Sequence, residues 1–250
     1  MDFVDRLNAI SARIPIQEEH IKTEEATKNA FIMPFIAALG YDVFNPMEVV
    51  PEYTADVGIK KGEKVDYAIM REGKPIIIFE TKWSGADLSK EHKSQLHRYF
   101  GVVHSRIAVL TNGVRYEFYA DIDEPNKMDS HPFLELDMLD IQDSQITELK
   151  KLTKTAFDVD EMVSAASELK YLKQIKAILE TQFNEPSVDF VKFFASQVHA
   201  GPLRGKIVEK FTKFTKRAFH QFISQKINDR FKGVLVEQKV EDLKVEEEAV

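Results

Sequence analysis

The chain has 250 residues, 44% hydrophobic and 30% charged, with a net charge of −7 and no cysteine. At roughly 150 residues per domain, this length suits one or two globular domains, and the composition argues against disorder throughout. The acidic balance excludes a uniformly basic nucleic-acid coat, and the lack of cysteine excludes disulfides, thiol catalysis and thiolate zinc sites.

The N-terminus, Met1-Asp2-Phe3-Val4-Asp5-Arg6, is charged and amphipathic and does not read as a leader. No apolar run approaches the roughly 20 residues that span a bilayer, so a cytoplasmic chain without membrane contact is expected. Phe3, Val4, Leu7, Ile10 and Ile14 recur at helical spacing up to Pro15. A second helix is expected from the N-cap Thr23, with Glu24 and Glu25 in its first turn, to Leu39, where Gly40 stops it. Pro34 should bend that helix.

Strands follow at Val65–Met70 and Pro75–Thr81, the second containing the continuous run Ile76-Ile77-Ile78-Phe79 of a strand buried on both faces. Arg71-Glu72-Gly73-Lys74 between them reads as a hairpin turn. A helix is expected from about Ser89 to Val103. Strands at Arg106–Thr111 and Val114–Tyr119 are joined by Asn112-Gly113, a strong hairpin signal, and Phe133–Leu139 reads as an edge strand. From Ser144 the pattern turns helical, with helices expected at 144–155, 160–183, 187–199 and 204–232. This reading divides the chain into an α+β domain over 1–140, a helical domain over 141–232 and an acidic, solvated tail over 233–250.

The residues that carry chemistry are Asp66, Glu80 and Lys82. Alternation along a strand puts Glu80 and Lys82 on one side. With Gly73 at the centre of the turn, Asp66 and Glu80 are equidistant from it and face each other across the hairpin. Like charges in direct opposition destabilise a sheet, so a third partner is needed. A hard divalent cation with oxygen ligands fits. A Glu and a Lys ending a buried apolar strand break the local pattern, as functional sites do. The chemistry that suits them is metal-assisted attack of water on a phosphodiester, with Lys82 orienting the water or holding a phosphate oxygen.

These residues resemble the PD-(D/E)xK nuclease core. More narrowly, the first 140 or so residues resemble the N-terminal nuclease domain of type I restriction enzyme R subunits. The resemblance rests on Thr23-Glu24-Glu25-Ala26-Thr27-Lys28, Leu39-Gly40-Tyr41-Asp42, Lys64-Val65-Asp66-Tyr67 and Phe79-Glu80-Thr81-Lys82-Trp83. Val65 stands where the motif's name has proline, a residue that is not a ligand. The resemblance implies an α/β/α core around a mixed sheet. It implies Mg²⁺, with Mn²⁺ as a substitute, held by Asp66, Glu80 and the Thr81 carbonyl, with Glu24 or Glu25 approaching. It makes Lys82 the catalytic lysine. Gln95 and Tyr99, at i and i+4 on one helix face, are similar to a motif of RecB-type nucleases. That similarity gives Gln95 a contact to the metal water or the DNA, and Tyr99 a positioning role.

None of the seven histidines forms a zinc-like spacing. No phosphate-binding loop of an ATP motor is present; Gly201-Pro202-Leu203-Arg204-Gly205-Lys206 has the wrong spacing. Residues 202–232 hold nine basic and two acidic residues interleaved with phenylalanines. Their basic face, including Lys213, Lys216 and Arg217, suits a phosphate backbone, while the phenylalanines pack. The expected function is a Mg²⁺-dependent restriction-type deoxyribonuclease acting on DNA, with the C-terminal helices open to a protein partner or an oligomer. Two alternatives stand beside it: a non-catalytic DNA-binding or assembly subunit on the same fold, and a nuclease for RNA or branched DNA.

Overall fold

The structure is a computed structural model describing residues 2–57 and 60–248, with side chains described for residues 2–54 and 64–230. It divides into two compact units, residues 1–172 and 173–250.

The first unit is built on a six-stranded mixed sheet: β1 (Val49–Val57), β2 (Lys60–Arg71), β3 (Lys74–Thr81), β4 (Ile107–Thr111), β5 (Arg115–Ala120) and β6 (Leu134–Asp137). The strands lie in chain order. Only β3 and β4 are parallel; the crossover between them is α4 (Lys90–Val103). α1 (Phe3–Gln17), α2 (Glu24–Thr27) and α3 (Met33–Ala38) and the turn between the last two supply Leu7, Ile14, Phe31 and Phe35 to one face, against Ile77, Phe79, Val109 and Phe118. On the other face Leu96, Tyr99 and Phe100 of α4 cover Ile78, Ala108 and Leu110. The alternation along β3 and β4 therefore feeds two cores, as a strand buried on both faces requires. The class is α+β, with a helical C-terminal region, as expected.

Local differences from expectation have physical causes. Pro15 lies inside the last turn of α1 rather than ending it; so close to the helix end it removes a single intrahelical bond. Between α2 and α3 the chain makes a π-helical turn, Lys28–Ile32. The wider turn falls just before Pro34 and absorbs its missing donor. β1 is not expected from the sequence; Pro51 and the positive φ of Glu52 obscure its pattern, and as an edge strand it tolerates both. The turn between β2 and β3 has two residues, Glu72 and Gly73, both with positive φ, as type I′ turns require. That turn alone would offset the strands by one residue. The irregularity between Ile69 and Met70 restores the register Ile69↔Ile77, Ala68↔Ile78 and Tyr67↔Phe79, whose continuation sets Asp66 opposite Glu80.

The first unit also runs beyond residue 140, where the sequence places a domain boundary. α5 (Asp143–Lys150) and the start of α6 (Val159–Asn184), with the segment between them, bury Leu149, Leu152, Phe157, Met162 and Ala166 in the α1–α3 core. The Arg71 guanidinium donates to the carbonyls of Phe157 (2.6 Å) and Lys154 (3.0 Å). Lys170 pairs with Asp123 (2.5 Å) and Asp129 (3.3 Å).

The second unit holds the rest of α6, α7 (Val188–Val198) and α8 (Lys206–Glu248). α8 does not stop at 232; residues 233–248 continue it. Gly233 costs a helix interior only about 1 kcal/mol and is no obligatory stop. Among the described residues no helix is long and apolar enough to cross a membrane.

Candidate active site

The site forms where α2 meets the middle of β2 and the end of β3. Thr23 caps α2, its hydroxyl oxygen accepting the Ala26 N–H at 3.1 Å. This holds Glu24 and Glu25 in the first turn, where the helix dipole favours carboxylates. One turn on, Lys28 is buried, 8% exposed. Its ammonium stands 2.7 Å from Asp66 Oδ1, 3.0 Å from Glu25 Oε1 and 3.5 Å from Glu24 Oε1. Burial works against its charge, but the hydrogen bonds to Asp66 and Glu25 outweigh it and raise its pKa.

Asp66 is fixed from β3 as well. Its Oδ2 accepts the Thr81 N–H at 2.7 Å and the Thr81 hydroxyl at 2.9 Å. The backbone of Lys82 is anchored on β4, its N–H donating to the Thr111 carbonyl at 2.8 Å. Thr27 Oγ1 accepts the Ser84 N–H at 3.0 Å, and the Asn112 amide donates to the carbonyls of Ser84 (3.2 Å) and Ala86 (2.8 Å). The segment leaving Lys82 is thus held by α2 on one side and the β4–β5 turn on the other.

Glu80 is 2% exposed. Its Oε1 accepts a 2.5 Å bond from the Lys82 ammonium, and its Oε2 is buried without a partner. Burial, then the charge of Asp66, pushes the Glu80 carboxyl up to about 7, against the bond from Lys82; the charge of Glu24 pushes the same way. Lys28 and Lys82 each offset one carboxylate, but the second oxygen of Glu80 stays buried and unpartnered, which is costly in a dry setting.

Asp66, Thr81, Glu24, Glu25, Glu80 and Lys82 therefore converge on one strand end. Gln95 and Tyr99 lie on α4. The Gln95 amide donates to the Tyr99 hydroxyl at 3.2 Å rather than to a carboxylate of the site. Lys213, Lys216 and Arg217 are exposed on α8 in the other unit. Lys28 and Thr27 are not legible as site residues in the sequence. There, Lys28 at i+3 and i+4 from two glutamates reads as a surface ion pair, and only the packing of α2 on the sheet buries it.

No group of three His, Cys, Asp or Glu able to hold a metal occurs among the described residues. Asp66 and Glu80 are the two carboxylates nearest one another at the site, and both oxygens of Asp66 already have protein partners. The buried, partnerless Oε2 of Glu80 fits a hard cation.

A search of curated proteins and a search of solved structures found no match to the chain. Residues 23–134, which contain the α2 acidic turn, both carboxylate strands and α4, match the family model described as Type I restriction enzyme R protein N terminus (HSDR_N), the family that the sequence motifs resemble.

Proposed function

We propose that the chain hydrolyses DNA phosphodiester bonds in a Mg²⁺-dependent reaction. The observation that carries the reading is Glu80: a buried carboxylate with one oxygen on Lys82 and the other unpartnered, beside the charge of Asp66. Asp66, Glu80 and the Thr81 carbonyl are the residues that would hold the cation, with Mn²⁺ as a substitute. When bound, such a cation neutralises charge on the phosphate and lowers the pKa of its water.

The chain's own residues do the rest. Hydrolysis joins the oxygen of water to phosphorus, breaks a P–O bond and leaves a protonated alcohol. Lys82, oriented by Glu80, is placed to hold a phosphate oxygen or the attacking water. Thr81 fixes Asp66 through two hydrogen bonds, so that carboxylate is oriented before substrate arrives. Tyr99, buried in α4, positions Gln95 towards substrate. Lys213, Lys216 and Arg217 supply sequence-independent contacts to the DNA backbone.

The test is cleavage of plasmid DNA in Mg²⁺ by the wild-type chain and by Asp66→Ala. Loss of cleavage in the variant supports the reading. Equal cleavage by both would remove it, and DNA binding without cleavage by either would favour the non-catalytic alternative.

A further inference from the structure

The helical unit is short of a core. Among its described residues only two apolar side chains are buried, Val191 and Ala195. Phe193, Val198, Phe214 and Phe222 are 63%, 76%, 51% and 55% exposed. An open groove of about 610 Å³ runs between α7 and α8, lined by Phe194, Val198, Phe211, Phe214, Phe219 and Phe222 among others. Together with the exposed Phe193, Val198, Phe214 and Phe222, it leaves this unit with apolar side chains that its own fold does not cover.

The groove has a charged frame. Lys210 lies over the Phe214 ring at 5.4 Å and Lys226 over the Phe222 ring at 5.7 Å. Over residues 206–232, α8 carries eight basic residues against two acidic ones. Over 233–248 the balance inverts to six acidic against two basic. In that acidic stretch Val236, Val240 and Leu243 recur at i, i+4 and i+7, the spacing of an apolar helical stripe.

We infer that the α7–α8 groove receives the acidic end of α8 from a second copy of this chain, the two α8 helices running antiparallel. Charge, length and symmetry select this occupant. The groove is apolar with a basic frame, and the sequence at the end of α8 spaces Val236, Val240 and Leu243 at helical intervals within an acidic segment. α8 is one continuous helix of 43 residues, about 64 Å long at 1.5 Å per residue. Its end cannot turn back on its own groove, so another chain must supply it. Antiparallel pairing sets basic halves against acidic ends, whereas parallel pairing sets like against like. The arrangement is two-fold and isologous, so it closes at two copies. It also leaves Lys213, Lys216 and Arg217 free: at 100° per residue they fall on the side of α8 away from the groove.

The experiment is sedimentation equilibrium of the full-length chain. The wild type is expected to be a dimer that weakens as salt rises. Leu243→Asp, near the helix end and so harmless to folding, is expected to raise the dimer dissociation constant by about tenfold or more, because it puts a carboxylate into an apolar contact. The pair Lys210→Glu and Lys226→Glu weakens the dimer similarly, and adding Glu237→Lys and Glu241→Lys to that chain restores it. Circular dichroism checks that each variant keeps its helix. A monomeric wild type overturns the inference. So does a dimer whose affinity is unchanged by Leu243→Asp and by the lysine reversals.

Discussion

Lys28 Nζ stands 2.7 Å from Asp66 Oδ1 and 3.0 Å from Glu25 Oε1, so one buried ammonium ties the acidic turn of α2 to the strand that carries the leading carboxylate. It holds the two in one place while screening their repulsion. Glu80 has no such partner at Oε2. The two carboxylates of the site thus differ: Asp66 has both oxygens bonded, to Lys28 and to Thr81, whereas Glu80 has one oxygen on Lys82 and the other without a partner.

The first prediction concerns that ion pair. Lys28→Met should lower unfolding stability by roughly 1–3 kcal/mol, since it leaves a part-buried Asp66 without its charged partner. Urea denaturation measures it as a lower midpoint in the variant than in the wild type.

The second concerns the turn that faces α2. Gly113 has φ +80°, and a Cβ there would lie 2.9 Å from Phe31 Cβ and 3.0 Å from Thr27 Cγ2. Gly113→Ala should therefore cost about 2 kcal/mol or more, from backbone strain and overpacking together. It should also loosen the segment after Lys82, which Thr27 and Asn112 hold. Denaturant midpoint and hydrogen exchange at residues 84–86 check both effects.

The third is a pH dependence. The hydrogen bond from Lys170 holds the Asp123 carboxyl below its ordinary value of 3.8. Burial opposes the charge of Lys170, but its bonds to Asp123 and Asp129 outweigh that and raise it above 10.5. A lowered carboxylate contributes stability above its unfolded pKa and loses it as pH falls through the folded one. A raised lysine contributes below its unfolded pKa and loses it as pH rises through the folded one. The loss in melting temperature caused by Lys170→Met should therefore be flat between about pH 5 and 9 and fade towards pH 3. A deficit that persists unchanged at pH 3 would show that the pairing is not its source.

The fourth addresses the basic face of α8. Replacing Lys213, Lys216 and Arg217 together with Gln should weaken binding to any duplex alike. The slope of log affinity against log salt should fall by about 2–3, close to 0.9 for each phosphate no longer neutralised. Filter binding over a salt series reads it. An unchanged slope would place the DNA-binding face elsewhere.

Much of this is legible in the residues. Ile76-Ile77-Ile78-Phe79 announces a central strand, because only a strand covered on both faces bears such a run. Asp66 and Glu80 can be placed opposite each other from Gly73, although the structure reaches that register by another route, a two-residue turn corrected by an irregularity at Ile69 and Met70. What stays hidden depends on packing. β1 carries Pro51 and a positive φ at Glu52 and shows no alternation to read. Lys28 looks like any i, i+4 partner of a glutamate until α2 is docked on the sheet. Residues 141–172 read as plain helices, and only Leu149, Phe157 and Met162 in the shared core show that they complete the sheet unit.

Metal-dependent cleavage through Lys82 is tested most directly by single-turnover cleavage of plasmid DNA by full-length Lys82→Ala, with DNA affinity measured alongside. The wild type is expected to cut in Mg²⁺ and not in EDTA. The variant is expected to bind DNA within about threefold of wild type and to cut at least about 100-fold more slowly, the scale of losing one group that acts on the reacting phosphate. Cleavage by the variant at the wild-type rate would contradict this role for Lys82.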